Sequence, residues 1–140
     1  MTATITITNP ILSGMNPDPS WIWDDEFQRI VLVTSTFELV PGLPIYVSED
    51  MTCWKHVSNV IDADLARRLL IPFVDDSGGV YAPTLRRIHG KYVIACTIAR
   101  LDDRRAMEGG CTESELMRFH AAEGNFILEA DSIEGPWRGP

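Results

Sequence analysis

Two β-branched runs divided by proline-glycine punctuation, in QRIVLVTSTFELVPGLPIYVSED (28–50), set the tightest limit on how this chain folds. Valine, isoleucine, threonine and aromatic side chains suit a pleated surface, whereas proline and glycine interrupt it. IVLVTSTF (30–37) therefore reads as one strand, Ile45 to Ser48 as the next, and the residues between them as a turn. CWKHVSNVI (53–61) alternates imperfectly, as a half-buried edge strand does. The rhythm restarts at GGVYAPTLRRI (78–88), a strand expected to break at Pro83, because proline cannot donate to a ladder. HGK (89–91) then turns the chain into the apolar strand YVIACTIAR (92–100), and NFILEADSI (125–133) supplies the last strand.

Helical signals are few. DADLARRLLI (62–71) fits one or two helical turns behind an aspartate cap, too short to anchor a helical layer. Residues 101–124 contain no convincing strand, and Gly109 and Gly110 mark a loop; within this stretch TESELMRFHAAE fits a helix with Thr112 as cap and Glu115 completing a capping box. The fold class is thus all-β, in two sets of three or four short antiparallel strands. Each set closes on a tryptophan-bearing segment, CWKH (53–56) and GPWRG (135–139). Spacing alone fits two propeller blades or a sandwich equally well.

The chain has 140 residues, enough to bury a core as one domain over 1–140, and its hydrophobic content of 45% is that of a globular protein. Twenty acidic residues against twelve Lys and Arg give a formal charge of -8, which argues against a nucleic-acid partner. Arg100, Arg104 and Arg105 are interrupted by Asp102 and Asp103 and read as a solvated face. Cys53, Cys96 and Cys111 form no close pair, and their odd number disfavours a disulfide framework. His56, His89 and His120 stand apart, outside any metal-ligand spacing, so neither a metal nor another cofactor is expected. The first residues lack the charged and apolar regions of a signal peptide, and no apolar run is long enough to span a bilayer. These features lead to an expectation of a cytoplasmic protein with no membrane partner.

One carboxylate stands out. In GMNPDPSWIW (14–23), Asp18 lies between two prolines. Proline fixes its own φ and restricts the residue before it, which suits either a turn aspartate or a base held at a repeatable angle toward a bound water. The ten residues leave that choice open. Arg86 and Arg87 alternate on one strand, so one of the two faces outward.

NPILSGMNPDPS (9–20), STFELVPGLPIYVSEDMTCW (35–54), GGVYAPTLRRIHGKYVI (78–94) and IEGPW (133–137), in that order and approximate spacing, resemble the N-terminal part of glycoside hydrolase family 43. The likeness is greatest to its β-xylosidase and α-L-arabinofuranosidase members and runs from Asn9 to Pro140. It implies about two blades of a five-bladed β-propeller whose inner strands aim at a central pocket. By the same resemblance Asp18 is the general base of an inverting mechanism, with Phe37 an aromatic wall beside the sugar. Tyr81 stands where many relatives have tryptophan and Thr84 where many have aspartate, two departures beside the pocket. Glu38 is a candidate to position Asp18 or a sugar hydroxyl, and Asn16 either orients the base or caps the local turn. An inverting glycosidase needs two carboxyl groups roughly 6.5–9.5 Å apart, one activating water and the other protonating the leaving oxygen.

In the family the second aspartate and the general-acid glutamate lie beyond the GPW segment, so the resemblance implies a site that 1–140 does not complete. The expected partners are a xylose- or arabinose-containing saccharide and either a chain supplying the remaining blades or a second copy of this one. The function implied is hydrolysis of β-xylosides or α-L-arabinofuranosides when the missing blades are present. A non-catalytic carbohydrate-binding or assembly subunit, or an inactive fragment, is the alternative.

Overall fold

The computed structural model describes residues 4–140. Seven strands dominate it: β1 (Ser20–Asp24), β2 (Arg29–Val33), β3 (Gly42–Ser48), β4 (Lys55–Ile61), β5 (Val74–Ile88), β6 (Lys91–Leu101) and β7 (Asn125–Ala130). They form two antiparallel sheets, one in the order β1-β2-β3-β4 and the other β5-β6-β7. The arrangement is consistent with part of a β-propeller, and among the described residues the sheets do not close into a ring.

Burial explains why the sheets meet. Val31, Val33, Leu43, Ile45 and Ile61 from the first sheet join Val80, Leu85, Ile94, Ile98 and Leu128 from the second in one buried cluster. Removing such apolar side chains from water is the main favourable term in folding. β1 lies alongside β5, bringing the proline-flanked aspartate of the first sheet toward the GGVYAP segment of the second. β4 is an edge strand, as its imperfect alternation suggested.

Three departures from expectation have physical causes. First, β5 begins at Val74 and passes through Pro83; a register shift between Tyr81 and Thr84 absorbs the missing donor, and a separate shift lies between Val74 and Gly79. Second, β2 ends at Val33, and Thr34, Ser35 and Thr36 continue as buried chain outside any strand, with Phe37 making an isolated bridge to Val80. Third, the segment between β6 and β7 is more helical than the all-β expectation allows. It holds α2 (Asp103–Glu108), capped by Asp102, and α3 (Glu113–Ala121), where Thr112 and Glu115 form the expected capping box. α2 escapes pattern reading because it is short and charged, with Ala106 its buried residue. α1 (Ala63–Arg68) follows β4 behind the Asp62 cap, as expected. No helix among the described residues is long and apolar enough to cross a membrane.

Candidate active site

The site is assembled where the two sheets touch. Asp18 sits at φ 50, a left-handed conformation that aspartate tolerates better than most residues, and it is exposed. Ser35, in the buried chain just after β2, anchors it: the Ser35 hydroxyl donates to Asp18 Oδ2 at 2.8 Å, and its backbone N–H donates to the Pro17 carbonyl at 2.9 Å. The same hydroxyl accepts the Ala82 N–H of β5 at 2.8 Å. A second serine, Ser20, accepts the Leu85 N–H at 3.0 Å. The NPDPS segment is therefore tied to both sheets through side-chain hydroxyls.

An aromatic pair stands beside this joint. Phe37 and Tyr81 lie with ring centroids 4.9 Å apart and planes inclined at 40°, within the range of favourable aromatic contact. Phe37 is brought there by reciprocal backbone hydrogen bonds with Val80, at 3.1 and 3.0 Å. Gly79 makes the approach possible: at φ +100 it lies so close to Phe37 that a Cβ would come 2.2 Å from the Phe37 carbonyl oxygen. The Tyr81 hydroxyl donates to the Ser77 carbonyl, which ties the ring back to its own irregular strand.

Beneath the pair, the Cys96 thiol donates to the Tyr81 carbonyl at 2.9 Å. Burial, aided by the nearby Asp18 charge, pushes this thiol up to about 12. It is a neutral hydrogen-bond donor under the site.

The other sequence candidates separate. Asn16 Nδ2 donates to the Ser13 carbonyl at 3.0 Å, closing the turn before Pro17. Glu38 is exposed next to Phe37 and makes no ion pair among the described residues. Thr84 and Arg86 are exposed, whereas Arg87 turns toward Asp24. Asp24, fully buried at the end of β1, receives Arg87 Nη1 at 2.7 Å and the Tyr92 hydroxyl, with Arg29 Nε 3.7 Å away. This buried ion cluster is structural cement between the sheets, since Arg87 and Tyr92 come from β5 and β6. No group of three or more His, Cys, Asp or Glu among the described residues is placed to hold a metal ion.

Pattern reading missed Ser20, Ser35 and Asp24. Both serines lie inside quoted motifs, and the hydroxyl next to each strand end was the available signal; the burial of Asp24 in an acidic DDE run had none.

Chemically, Asp18 presents a carboxylate with one oxygen held by a hydroxyl, next to an apolar aromatic surface. Such a group can accept a proton or a hydroxyl hydrogen bond.

The sequence model of Glycosyl hydrolases family 43 matches residues 7–140, a span that includes every residue of this site. A relative from Escherichia coli (strain K12) is 39% identical over 134 residues, covering 96% of this chain and 22% of that protein. A non-reducing end alpha-L-arabinofuranosidase of Bacteroides ovatus is 36% identical over 137 residues, and a xylan 1,3-beta-xylosidase of a Vibrio species is 34% identical over 139 residues. They are covered at 96% and 98% of this chain, and in each case 22% of the relative. Among solved structures, Bacteroides ovatus xyloglucan PUL GH43B superposes with a TM-score of 0.72 at 34% identity, over 96% of this chain and 22% of that one. The xylan beta-1,4-xylosidase of Bacillus halodurans C-125 does so with a TM-score of 0.70 at 29% identity, again over 96% and 22%. The chain thus spans about 22% of the length of the curated relatives it matches. With the match running through the proline-flanked aspartate, the STFE segment and GGVYAP, and with the backbone superposing on solved relatives, this chain belongs to glycosyl hydrolase family 43.

Proposed function

We propose that residues 1–140 are about two blades of a five-bladed propeller and carry the general-base half of an inverting glycosidase site. The substrates are β-xylosides or α-L-arabinofuranosides, a choice that rests on the named activities of the relatives. The observation that carries this reading is the placement of Asp18: exposed, held by Ser35, and next to the Phe37–Tyr81 pair where the two sheets meet. In the proposed mechanism Asp18 takes a proton from water as that water attacks the anomeric carbon. A carboxylic acid elsewhere in the complete enzyme protonates the departing oxygen. Phe37 and Tyr81 wall the sugar ring, with Glu38 beside Phe37 as a candidate hydroxyl contact, whereas Asn16 serves the local turn. Because the Tyr81 hydroxyl gives its proton to Ser77, it offers the substrate its ring and an acceptor oxygen but no donor.

The acid and the remaining blades come from the further length that the relatives possess, in the same polypeptide or in an associated one. The test is hydrolysis of aryl β-xylosides and aryl α-L-arabinofuranosides. The 140-residue chain alone is expected to be inactive. Completed by the missing blades it becomes active, and Asp18→Asn then lowers the rate about 10²–10⁴-fold without disturbing assembly. Full activity of the Asp18→Asn assembly rejects Asp18 as the base. Saccharide binding without hydrolysis by the intact assembly replaces the enzyme reading with that of a carbohydrate-binding protein.

A further inference from the structure

We infer that Ser35 is the positioning residue of Asp18, selecting which carboxylate oxygen is left to accept a proton; this rests on the reading of Asp18 as the base. A serine hydroxyl has one proton to donate and two lone pairs to offer. At Ser35 the Ala82 N–H occupies a lone pair at 2.8 Å, and the proton goes to Asp18 Oδ2, also at 2.8 Å. Ser35 is 0% exposed, so bulk water does not compete for that proton. Asp18 Oδ2 is thereby engaged, while Oδ1 has no hydrogen-bond partner among the described residues. A hydroxyl aimed at an ionised carboxylate is among the stronger hydrogen bonds in proteins, which suits it to hold one rotamer of an exposed side chain.

Ser35 also spans the site. Its three hydrogen bonds reach Pro17, Asp18 and Ala82, and the Tyr81 carbonyl on the other side of the 81–82 peptide receives Cys96. The peptide behind the aromatic wall is therefore gripped from the first sheet by Ser35 and from the second by Cys96. Base and wall share one reference point, and a small displacement of either matters, because a misplacement of about 1 Å can cost ~10²-fold in rate.

A merely structural serine would need only the bond to Ala82, so the test reads Asp18. In the isotopically labelled 140-residue chain, the Hα–Hβ and N–Hβ couplings of Asp18 report its χ1 rotamer, and the Ser35 hydroxyl exchange rate reports the bond. The expected result is a single Asp18 rotamer in the unmodified chain and in Ser35→Thr, which keeps the hydroxyl, and rotamer-averaged couplings in Ser35→Ala. Should Ser35→Ala not fold, Asp18→Ala supplies the second arm: hydroxyl exchange at Ser35 accelerates about 10–100-fold, the factor matching loss of a hydrogen bond to a charged group. Asp18 couplings unchanged in Ser35→Ala, or hydroxyl exchange unchanged in Asp18→Ala, overturn the positioning role and leave the base reading standing. If both behave as expected while Asp18→Asn leaves hydrolysis by the completed enzyme intact, the base reading falls and the positioning of Asp18 by Ser35 stands.

Discussion

Replacing Asp24 with alanine tests whether the two sheets are joined by charge as well as by apolar packing. The Asp24 carboxylate is 0% exposed, and its principal partners, Arg87 and Arg29, retain 22% and 21% side-chain exposure. A buried ion pair adds little net stability over a well-packed apolar pair, but removing one partner strands the others, typically at 3–5 kcal/mol. Here Asp24→Ala leaves the Tyr92 hydroxyl, a buried donor, without its partner at a cost of about 1–3 kcal/mol, while Arg87 keeps its pairing with Glu26 and Arg29 loses a contact at 3.7 Å. Because both arginines are partly solvated and Arg87 retains Glu26, the low end of the range for breaking a buried pair applies to the whole change, about 3 kcal/mol. Arg87→Ala should cost less, because Asp24 keeps Tyr92 and the nearby Arg29. The double variant should then fall short of additivity by roughly 1–3 kcal/mol, as expected for residues in direct contact. Urea unfolding at fixed protein concentration, with equal m-values across the four proteins, measures all three quantities. A loss below about 1 kcal/mol for Asp24→Ala, or strict additivity, refutes an electrostatic joint between the sheets.

Three further outcomes follow from other contacts. Gly79→Ala places a methyl group 2.2 Å from the Phe37 carbonyl and at positive φ; the expected cost is about 2–4 kcal/mol from strain plus loss of the Phe37–Val80 bridge, read by urea unfolding and by loss of ring-to-ring NOEs between Phe37 and Tyr81. Burial, then the hydrogen bond to Asp24, raises the Tyr92 phenol above its usual 10.0, so the folded state keeps that proton longer than the unfolded state. The associated stability is complete below about pH 10 and is lost as pH rises toward the folded value; unfolding curves between pH 8 and 11 should show the decline, Tyr92→Phe should flatten it, and an identical slope in that variant would rule the phenol out. Cys96, pushed up to about 12 and buried, should resist iodoacetamide at pH 8 while exposed Cys53 reacts; equal labelling of the two in the folded chain, read by peptide mass spectrometry, would contradict the placement of Cys96 under the Tyr81 carbonyl.

Strand positions were legible where composition and periodicity agree. β2 and β6 are rich in β-branched residues and their hydrophobic runs call for burial, while β3 was legible from Ile45 onward but starts earlier, at Gly42. The α3 cap was legible too, because a capping box is a local device with a fixed spacing. Pro83 misled because the cost of a proline in a strand depends on whether a bulge can absorb it, which is decided by the neighbouring strand. Asp18 was visible as an unusual residue, but its orientation was not: the hydroxyl that holds it is 17 positions away, and the peptide completing the joint is 47 positions from that serine. Motif resemblance singled out Phe37 and Tyr81, and the fold brings their rings together. It could not reveal that the Tyr81 hydroxyl donates to Ser77, a fact of three-dimensional placement.

The helical excursion at residues 102–124 enters and leaves the second sheet without disturbing its ladder: Tyr92 pairs with Ala130 and Thr97 with Asn125 in unbroken register. Its two helices pack chiefly on a small cluster of Leu70, Ala106 and Leu116, with Phe119 reaching the main core and Arg105 donating to the Val74 carbonyl. Closure entropy rises only slowly with loop length, about 0.6 kcal/mol for each doubling. Lengthening this segment at the exposed Gly109–Gly110 turn is therefore cheap for the sheet, provided the Phe119 and Arg105 contacts and the turn at Gly124 that meets the Ile98 amide are kept. The exposed turn of this excursion, remote from Asp18 and its serine, is the natural place to insert a reporter peptide into a protein of this kind.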